Sequence, residues 1–325
     1  MNTNLLQVKS LSKLFPVERR GSFKFFKGKL TAVDKVSFDI KQGKTLGLVG
    51  ESGCGKSTVA RAILRLIEPN SGRVILGNTE LLNCSPKELR KMRRDMQLVF
   101  QDPYSSLNPK MSVGQNIAYN LKFHNIGTSE EQVDLACSML EEVGLQRADY
   151  SRYPHEFSGG QCQRVAIARA LILKPKLIIF DEPVSALDVS IRAQILSLLL
   201  ELQKKYGLTY LFISHDLSVV KRFCDEIAVM YLGRIVEIAN TSKLYLHPMH
   251  PYTKALIESI PSLDPDNKRI SKRLTIEGDV PSPLNPPRGC HFHTRCPRRT
   301  SKCSESSPKL VTTDSEQSVA CFLYK

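Results

Sequence analysis

Long apolar runs are missing from this chain. No stretch approaches the roughly 18 residues that a membrane-spanning helix needs, which excludes an integral membrane protein built of such helices. The first eight residues, Met1 to Val8, lack a charged start and an extended apolar segment, so no secretory leader is expected. The chain is therefore expected in the cytosol, reaching any membrane only through a partner. No internal repeat is visible, which excludes repeat architectures. No recognised nucleic-acid motif is present either, so no nucleic-acid partner is expected. Acidic residues are in short supply, 32 Asp and Glu against 46 Lys and Arg, for a net charge of +14 at pH 7. Charge alone suits nucleic acid, a negatively charged membrane face or a solvated basic surface equally. Basic residues run along the whole chain, with one cluster at Arg19, Arg20, Lys24, Lys27 and Lys29. The apolar share of 42% and charged share of 24% are those of an ordinary globular protein, and 325 residues are enough for one large or two moderate domains.

What is present begins with Gly50-Glu51-Ser52-Gly53-Cys54-Gly55-Lys56-Ser57, which fits the phosphate-binding pattern G-x-x-x-x-G-K-[ST] without a mismatch. It follows Thr45 to Val49, an apolar stretch that reads as a buried strand. It precedes Thr58 to Leu64, whose apolar residues recur at helical spacing. Glycines let main-chain N–H groups turn inward around a β-phosphate, and the helix N-terminus adds its positive dipole end. Lys56 is expected to reach the β- and γ-phosphates, Ser57 to offer its hydroxyl to Mg²⁺, and Thr58 to follow in the same cradle. Cys54, inside the loop, is expected to be a small neutral filler rather than a redox switch.

Along the chain, Val33 to Ile40 alternates apolar and polar residues as a half-buried strand does. Val113 to His124, Glu130 to Val143 and Val165 to Leu173 read as helices. Leu177 to Phe180 is a short buried strand after Pro175, Ile191 to Tyr206 an amphipathic helix, and Leu208 to Ile213 another buried strand. Strands alternating with helices predict an α/β fold with a mainly parallel sheet. A helical insertion is expected at about 102–164 and, from 241, an appended segment rich in Pro, His and Cys.

Asp181 and Glu182 follow the Leu177–Phe180 stretch directly. A carboxylate at a strand end is the companion a phosphate loop needs: Asp181 to hold the Mg²⁺ shell, Glu182 to orient or deprotonate the attacking water. Ser158-Gly159-Gly160-Gln161 precedes the next helix and forms a second anion site of N–H groups and dipole. One ATP cannot readily use two such helix ends of one domain. A second nucleotide shared with another subunit is the economical explanation.

In this order the chain resembles the ATP-binding subunits of ABC transporters, over residues 5 to about 240. The resemblance implies a RecA-like P-loop core, with Gly50–Ser57 as Walker A and Gln101 in the Q-loop. Ser158–Gln161 stands as the signature, Leu177–Asp181 as Walker B, Ser185 to Asp188 as the D-loop and His215 as the switch histidine. It implies that Gln101 contacts Mg²⁺ or the attacking water and senses the membrane subunits. His215 would touch the γ-phosphate, Asp188 would work at a dimer interface, and Phe15 would stack on adenine, with Phe23, Phe25 and Phe26 close by. Phe157 stands where many members carry Leu. Lys56, Asp181, Glu182 and His215 are all intact, against an adaptor with a dead site. A ribosome- or DNA-acting ATPase of this family would carry two nucleotide domains or a long coiled coil, and neither is present.

Gln101 to Pro109, His250-Pro251-Tyr252-Thr253 and Pro281 to Pro287 resemble the oligopeptide/dipeptide importer subfamily, most of all its second ATPase. That implies an ATPase domain over 1–240 and a transporter-type extension over 241–325. It also implies a heterodimer with a similar ATPase, two permease subunits and an external binding protein, at the cytoplasmic face of the cell membrane. Peptide is the expected cargo, with nickel, glutathione or another small solute as the alternative. The tail reads C-x₅-C-x₆-C-x₁₇-C and has no short zinc knuckle. The subfamily implies a [4Fe-4S] cluster at Cys290, Cys296, Cys303 and Cys321; zinc, joined by His291 or His293, and four free thiols stay open.

Overall fold

The computed structural model describes residues 4–20, 25–260, 278–313 and 317–324. Phe23 and Lys24 lie outside the described residues, as do the side chains of Arg19, Arg20, Phe25, Phe26 and Lys27. The chain divides into two compact units: one of Met1–Leu5, Ile40–Thr45 and Asn83–Ile213, the other of Leu6–Asp39, Leu46–Leu82 and Ser214–Lys325.

The second unit carries the phosphate loop. Its strand Thr45–Val49 is buried throughout and pairs in parallel with Glu226–Tyr231, Leu46 opposite Glu226 and Val49 opposite Val229. From there the sheet turns antiparallel. Tyr231 reverses through Leu232 and Gly233, both with positive φ (40° and 80°), the backbone that a tight two-residue hairpin requires. Arg234–Asn240 returns along Glu226–Tyr231, with a register shift between Ile235 and Glu237. Ser318–Val319 and Val311–Thr312 then extend the edge, so the tail of the chain closes back on this sheet. A separate four-stranded sheet runs Phe25–Lys41, Asn4–Arg20, Ser71–Leu76, Thr79–Glu80, with Ser71–Leu76 antiparallel to both of its neighbours. The expectation of a mainly parallel sheet is thus refined to a mixed one. Alternation located the strand at Val33 to Ile40, but strand direction is set by partners distant in sequence.

The tail has a core of its own. Phe292 packs on Tyr231, Tyr252 and His250 at ring distances of 5.2, 5.4 and 5.6 Å. Buried Glu237 accepts from the N–H groups of Met249 and His250, each at 2.8 Å, which sets the start of the helix Pro251–Glu258.

In the first unit Leu177–Asp181 lies between Met96–Val99 and Thr209–Ser214, all parallel, with Phe180 opposite Val99 and Phe212. A chain buried on both faces reads as a continuous apolar run, which is why Leu177–Asp181 and Thr209–Ser214 were legible and half-buried Met96–Val99 was not. Helices Val113–Phe123, Ser129–Glu142 and Gly159–Leu171 open on capping boxes at Ser112, Thr128 and Ser158, each such cap worth about 1 kcal/mol. The third helix starts six residues before the expected Val165, because Ser158 and Gln161 already satisfy its first N–H groups. Val189–Tyr206 ends at Gly207, whose φ of 64° suits only a residue free to turn left-handed. Among the described residues no helix is long and apolar enough to cross a membrane.

Candidate functional site

The phosphate loop is built around positions that only glycine can fill. Gly50 has φ 154°, and a Cβ there would sit 2.1 Å from the Met230 carbonyl oxygen. Gly55 has φ 109°, and its Cβ would lie 2.2 Å from the Ala32 carbonyl oxygen. Gly53 meets nothing within 4 Å, so its φ of 78° alone calls for glycine there. The Gly233 N–H donates to the Cys54 carbonyl at 2.9 Å, fastening the hairpin turn under the loop. Helix Lys56–Ile63 begins at Gly55 with no side-chain cap, which leaves its first N–H groups oriented for an anion. Lys56 is buried, and its ammonium donates to the carbonyls of Gly50 and Glu51 at 2.8 and 3.1 Å. Ser57 and Thr58 are half-buried in the first turn, while Ser52 is exposed. Cys54 is buried, and burial pushes its thiol up despite the Lys56 ammonium beside it. It fills space, as expected.

The same unit holds Phe15 and His215. Phe15 is half-buried, with the Lys13 ammonium 5.0 Å from its ring centre and that ammonium tied to the Glu68 carbonyl. His215 is exposed directly after the strand Thr209–Ser214. Its neighbours are tethered: the Asp216 N–H donates to the Ser214 hydroxyl at 3.0 Å, and Asp216 caps the helix that follows.

The first unit gathers the remaining expected residues. Asp181 is buried at the strand end. Glu182 has φ 52°, a left-handed backbone that costs a non-glycine residue about 1–2 kcal/mol, and its N–H donates to the Ile213 carbonyl at 3.1 Å. The Gln101 side-chain amide reaches Glu182 Oε2 at 3.5 Å and the Ser185 hydroxyl at 3.4 Å. Ser185 in turn donates to the Glu182 carbonyl at 3.0 Å. Gln101 and Glu182 are therefore brought together, and Ser185 braces both. Ser158 is exposed at the N-cap of its helix, with Gly159 and Gln161 half-buried beside it. A Cβ on Gly160 would meet Ile191 Cγ2 at 2.5 Å, so this glycine lets the helix approach a neighbour closely. Asp188 caps Val189–Tyr206 through its carbonyl, which accepts from the Arg192 N–H at 2.8 Å. Its exposed carboxylate makes no capping bond.

Four participants were given no contact of their own from the sequence, although Ser185, Tyr104 and Tyr252 lie in stretches it singled out; Arg295 alone was missed altogether. Ser185 and Tyr104 act over loops, Tyr104 donating to the Phe157 carbonyl at 2.8 Å. Tyr252 accepts from the Glu51 N–H at 3.0 Å, and Arg295 pairs with the Glu51 carboxylate at 3.0 Å. The His250 to Thr253 motif marked Tyr252 as notable, but nothing local pointed Arg295 at a partner 244 residues away.

Cys290, Cys296, Cys303 and Cys321 line one cavity of about 180 Å³, together with His293 and His250. Burial, with the other three thiols nearby, pushes Cys290 up to about 11. Among the described residues, however, no three His, Cys, Asp or Glu side chains converge closely enough to hold a metal ion. His291 turns elsewhere, its Nδ1–H donating to the Leu232 carbonyl at 3.0 Å.

Residues 33–185 match the family described as ABC transporter, and residues 236–303 match the oligopeptide/dipeptide transporter C-terminal region. The chain is 48% identical, over 98% of its length and 97% of the relative's, to the oligopeptide transport ATP-binding protein AppF of Bacillus subtilis. Among solved structures it is similar to the ATP-binding cassette MJ0796, captured as a dimer after hydrolysis with ADP and Pi. That likeness has a TM-score of 0.64 and 31% identity over 73% of this chain and 98% of the other. CbiO1 from Clostridium perfringens, part of the transporter complex CbiONQ, gives a TM-score of 0.64 and 30% identity over 76% and 92% of the two chains.

Proposed function

The chain belongs to the ABC transporter ATPases, in their oligopeptide/dipeptide branch, and from that premise we propose that it powers a bacterial peptide importer by hydrolysing ATP. The observation that carries this reading is the glycine-only loop closed around buried Lys56 at an uncapped helix start, in a chain aligned end to end with an oligopeptide transport ATPase.

In this reading Gly50 to Thr58 hold the phosphates and Phe15 stacks on adenine. Lys56 exchanges its two carbonyl partners for phosphate oxygens. Ser57, Gln101 and Asp181 would hold Mg²⁺. Hydroxyl, amide and carboxylate oxygens form the hard donor set that this ion selects, and the ion would neutralise phosphate charge. Glu182, with its backbone twisted and its carboxylate beside Gln101, takes the proton of the attacking water. His215 meets the γ-phosphate side. Ser158 to Gln161 and Asp188 serve the nucleotide of a second ATPase subunit, a paralogous partner packed head to tail with this one. ATP closes the pair, closure is passed to two permease subunits through the Gln101 segment, and hydrolysis reopens it. An external binding protein delivers the peptide. The chain thus works on the inner face of the cell membrane, with 1–240 as the ATPase domain and 241–325 as the Cys-bearing extension.

The four tail cysteines line one cavity, and thiolates are the soft donors that iron–sulfur clusters and zinc both take. The [4Fe-4S] cluster that the subfamily resemblance implies is the reading put forward for them, with zinc as the alternative. Such a cluster would cross-link the tail without taking part in hydrolysis. Anaerobic purification with iron, sulfide and zinc analysis decides: stoichiometric zinc without sulfide rejects the cluster.

Reconstitution in vesicles with the two permeases, the binding protein and the paralogous ATPase tests the main reading. ATP-dependent uptake of labelled di- and oligopeptides is expected. Uptake of nickel or glutathione instead would reassign the cargo, and co-purification with ribosomes or DNA would overturn the importer reading.

A further inference from the structure

The second residue of the phosphate loop is an acid, Glu51, placed where anionic phosphates are to bind. An uncompensated carboxylate there would repel the ligand. The fold compensates it from the tail. The Arg295 guanidinium donates to Glu51 Oε2 at 3.0 Å and to Oε1 at 3.4 Å. The arginine side chain is only 9% exposed and the glutamate 27%, so water screens this pair less than one on the surface. Arg295 is held in turn by the Tyr231 hydroxyl at 3.4 Å. The Glu51 backbone is fixed as well, through its N–H bond to the Tyr252 hydroxyl. Four residues before Arg295, the His291 ring donates to the Leu232 carbonyl in the hairpin turn whose next residue, Gly233, bonds the Cys54 carbonyl. The loop is therefore gripped by side chain, by backbone and from beneath, each time by groups outside it. Two of the three grips originate in the short segment from His291 to Arg295.

We propose that Arg295 is a positioning residue of the ATP site: it neutralises and orients Glu51, so that the Cys-bearing tail completes the phosphate loop and controls how tightly ATP is held. This rests on the reading of Gly50–Ser57 as the ATP site and adds to it a dependence on a segment more than two hundred residues away. Arg295 immediately precedes Cys296.

The test uses the full chain and mant-ATP, with ATP as competitor, in equilibrium titrations alongside steady-state ATPase assays. Arg295→Ala is expected to raise the Kd on the order of tenfold, the charge left on Glu51 now opposing phosphate. The loss should fall on KM rather than on kcat. Arg295→Lys, which keeps the charge but not the fork, should fall between the two. Glu51→Gln combined with Arg295→Ala should return the Kd to within about threefold of the unmodified chain, because the charge that Arg295 offsets is gone. A role confined to folding would make the double variant no better than Arg295→Ala, and that result overturns the proposal, as does unchanged binding by Arg295→Ala. If Arg295→Ala does not fold, the Lys variant and the double variant carry the comparison by the same criteria. No mant-ATP binding by the unmodified chain would instead strike down the ATP site itself. Binding by that chain with no difference among the variants strikes down only the role of Arg295.

Discussion

Tyr104 donates its hydroxyl to the carbonyl of Phe157 at 2.8 Å. The segment that leaves Gln101 is thereby tied to the residue that leads into Ser158, Gly159 and Gly160. The Tyr104 ring also lies close to Gly159, 3.9 Å from where a Cβ would stand. One hydrogen bond thus joins the stretch proposed to sense the permeases to the stretch proposed to meet the partner's nucleotide.

Tyr104→Phe removes that bond and keeps the ring. The loss of about 0.5–1.5 kcal/mol should lower Tm by no more than a few degrees. In the reconstituted transporter, ATPase stimulation by peptide-loaded binding protein should fall further than ATPase without it. Equal reduction of both rates would show that the bond serves packing alone.

Glu182→Gln keeps the size of the side chain and its contact with Gln101, but cannot accept a proton. Turnover should drop by about 10²–10⁴, while mant-ATP still binds and gel filtration with ATP reveals a trapped dimer. Near-normal turnover removes Glu182 from the base role.

The glycines of the phosphate loop should differ sharply in tolerance. Gly55→Ala forces a Cβ to within 2.2 Å of the Ala32 carbonyl at φ 109°, so a loss of about 3 kcal/mol or more is expected. At 2–4 °C per kcal/mol, calorimetry should record a Tm lowered by roughly 6–12 °C. Gly53→Ala meets no neighbour within 4 Å and should cost only the left-handed backbone term, about 1–2 kcal/mol. Equal losses would mean that backbone strain alone, and not the clash, sets the requirement.

His250 gives the tail a pH dependence. It is fully buried, and burial holds it down to about 3. Its neutral Nδ1 accepts the Tyr252 N–H at 3.1 Å at the start of the helix Pro251–Glu258. Because the folded value lies below the unfolded one of about 6.5, the unfolded chain binds the extra proton between those limits. The stability from neutral His250 is complete above about pH 6.5 and declines by roughly 1.4 kcal/mol per pH unit below it. His250→Asn keeps a capping acceptor but cannot titrate. The Tm advantage of the unmodified chain should shrink between pH 7.5 and 5. A constant difference would remove His250 from the acid response.

Much of this protein is local, and local features were legible. Thr45–Val49, the glycine loop and the helix behind it lie within twenty residues of one another, and their spacing alone predicted strand, turn and helix. The apolar runs at Leu177 and Leu208 announced buried strands within a residue of their observed starts. Ser158-x-x-Gln161 also held a capping signal, and reading it would have moved the helix start to Gly159. The four-stranded sheet was not legible, since Asn4–Arg20 takes its direction from Ser71–Leu76, more than fifty residues on.

The order of residues along the chain, taken alone, determined the family, the nucleotide chemistry and most element positions, because each depends on spacings of a few residues that backbone geometry reads directly. Only tertiary structure decided that Arg295 faces Glu51, that Tyr104 reaches Phe157 and that Glu182 sits in a left-handed turn beside Gln101. The physical reason is range. A hydrogen bond or ion pair acts over about 3 Å, and which distant residues come within that reach is settled by how strands pair and cores close.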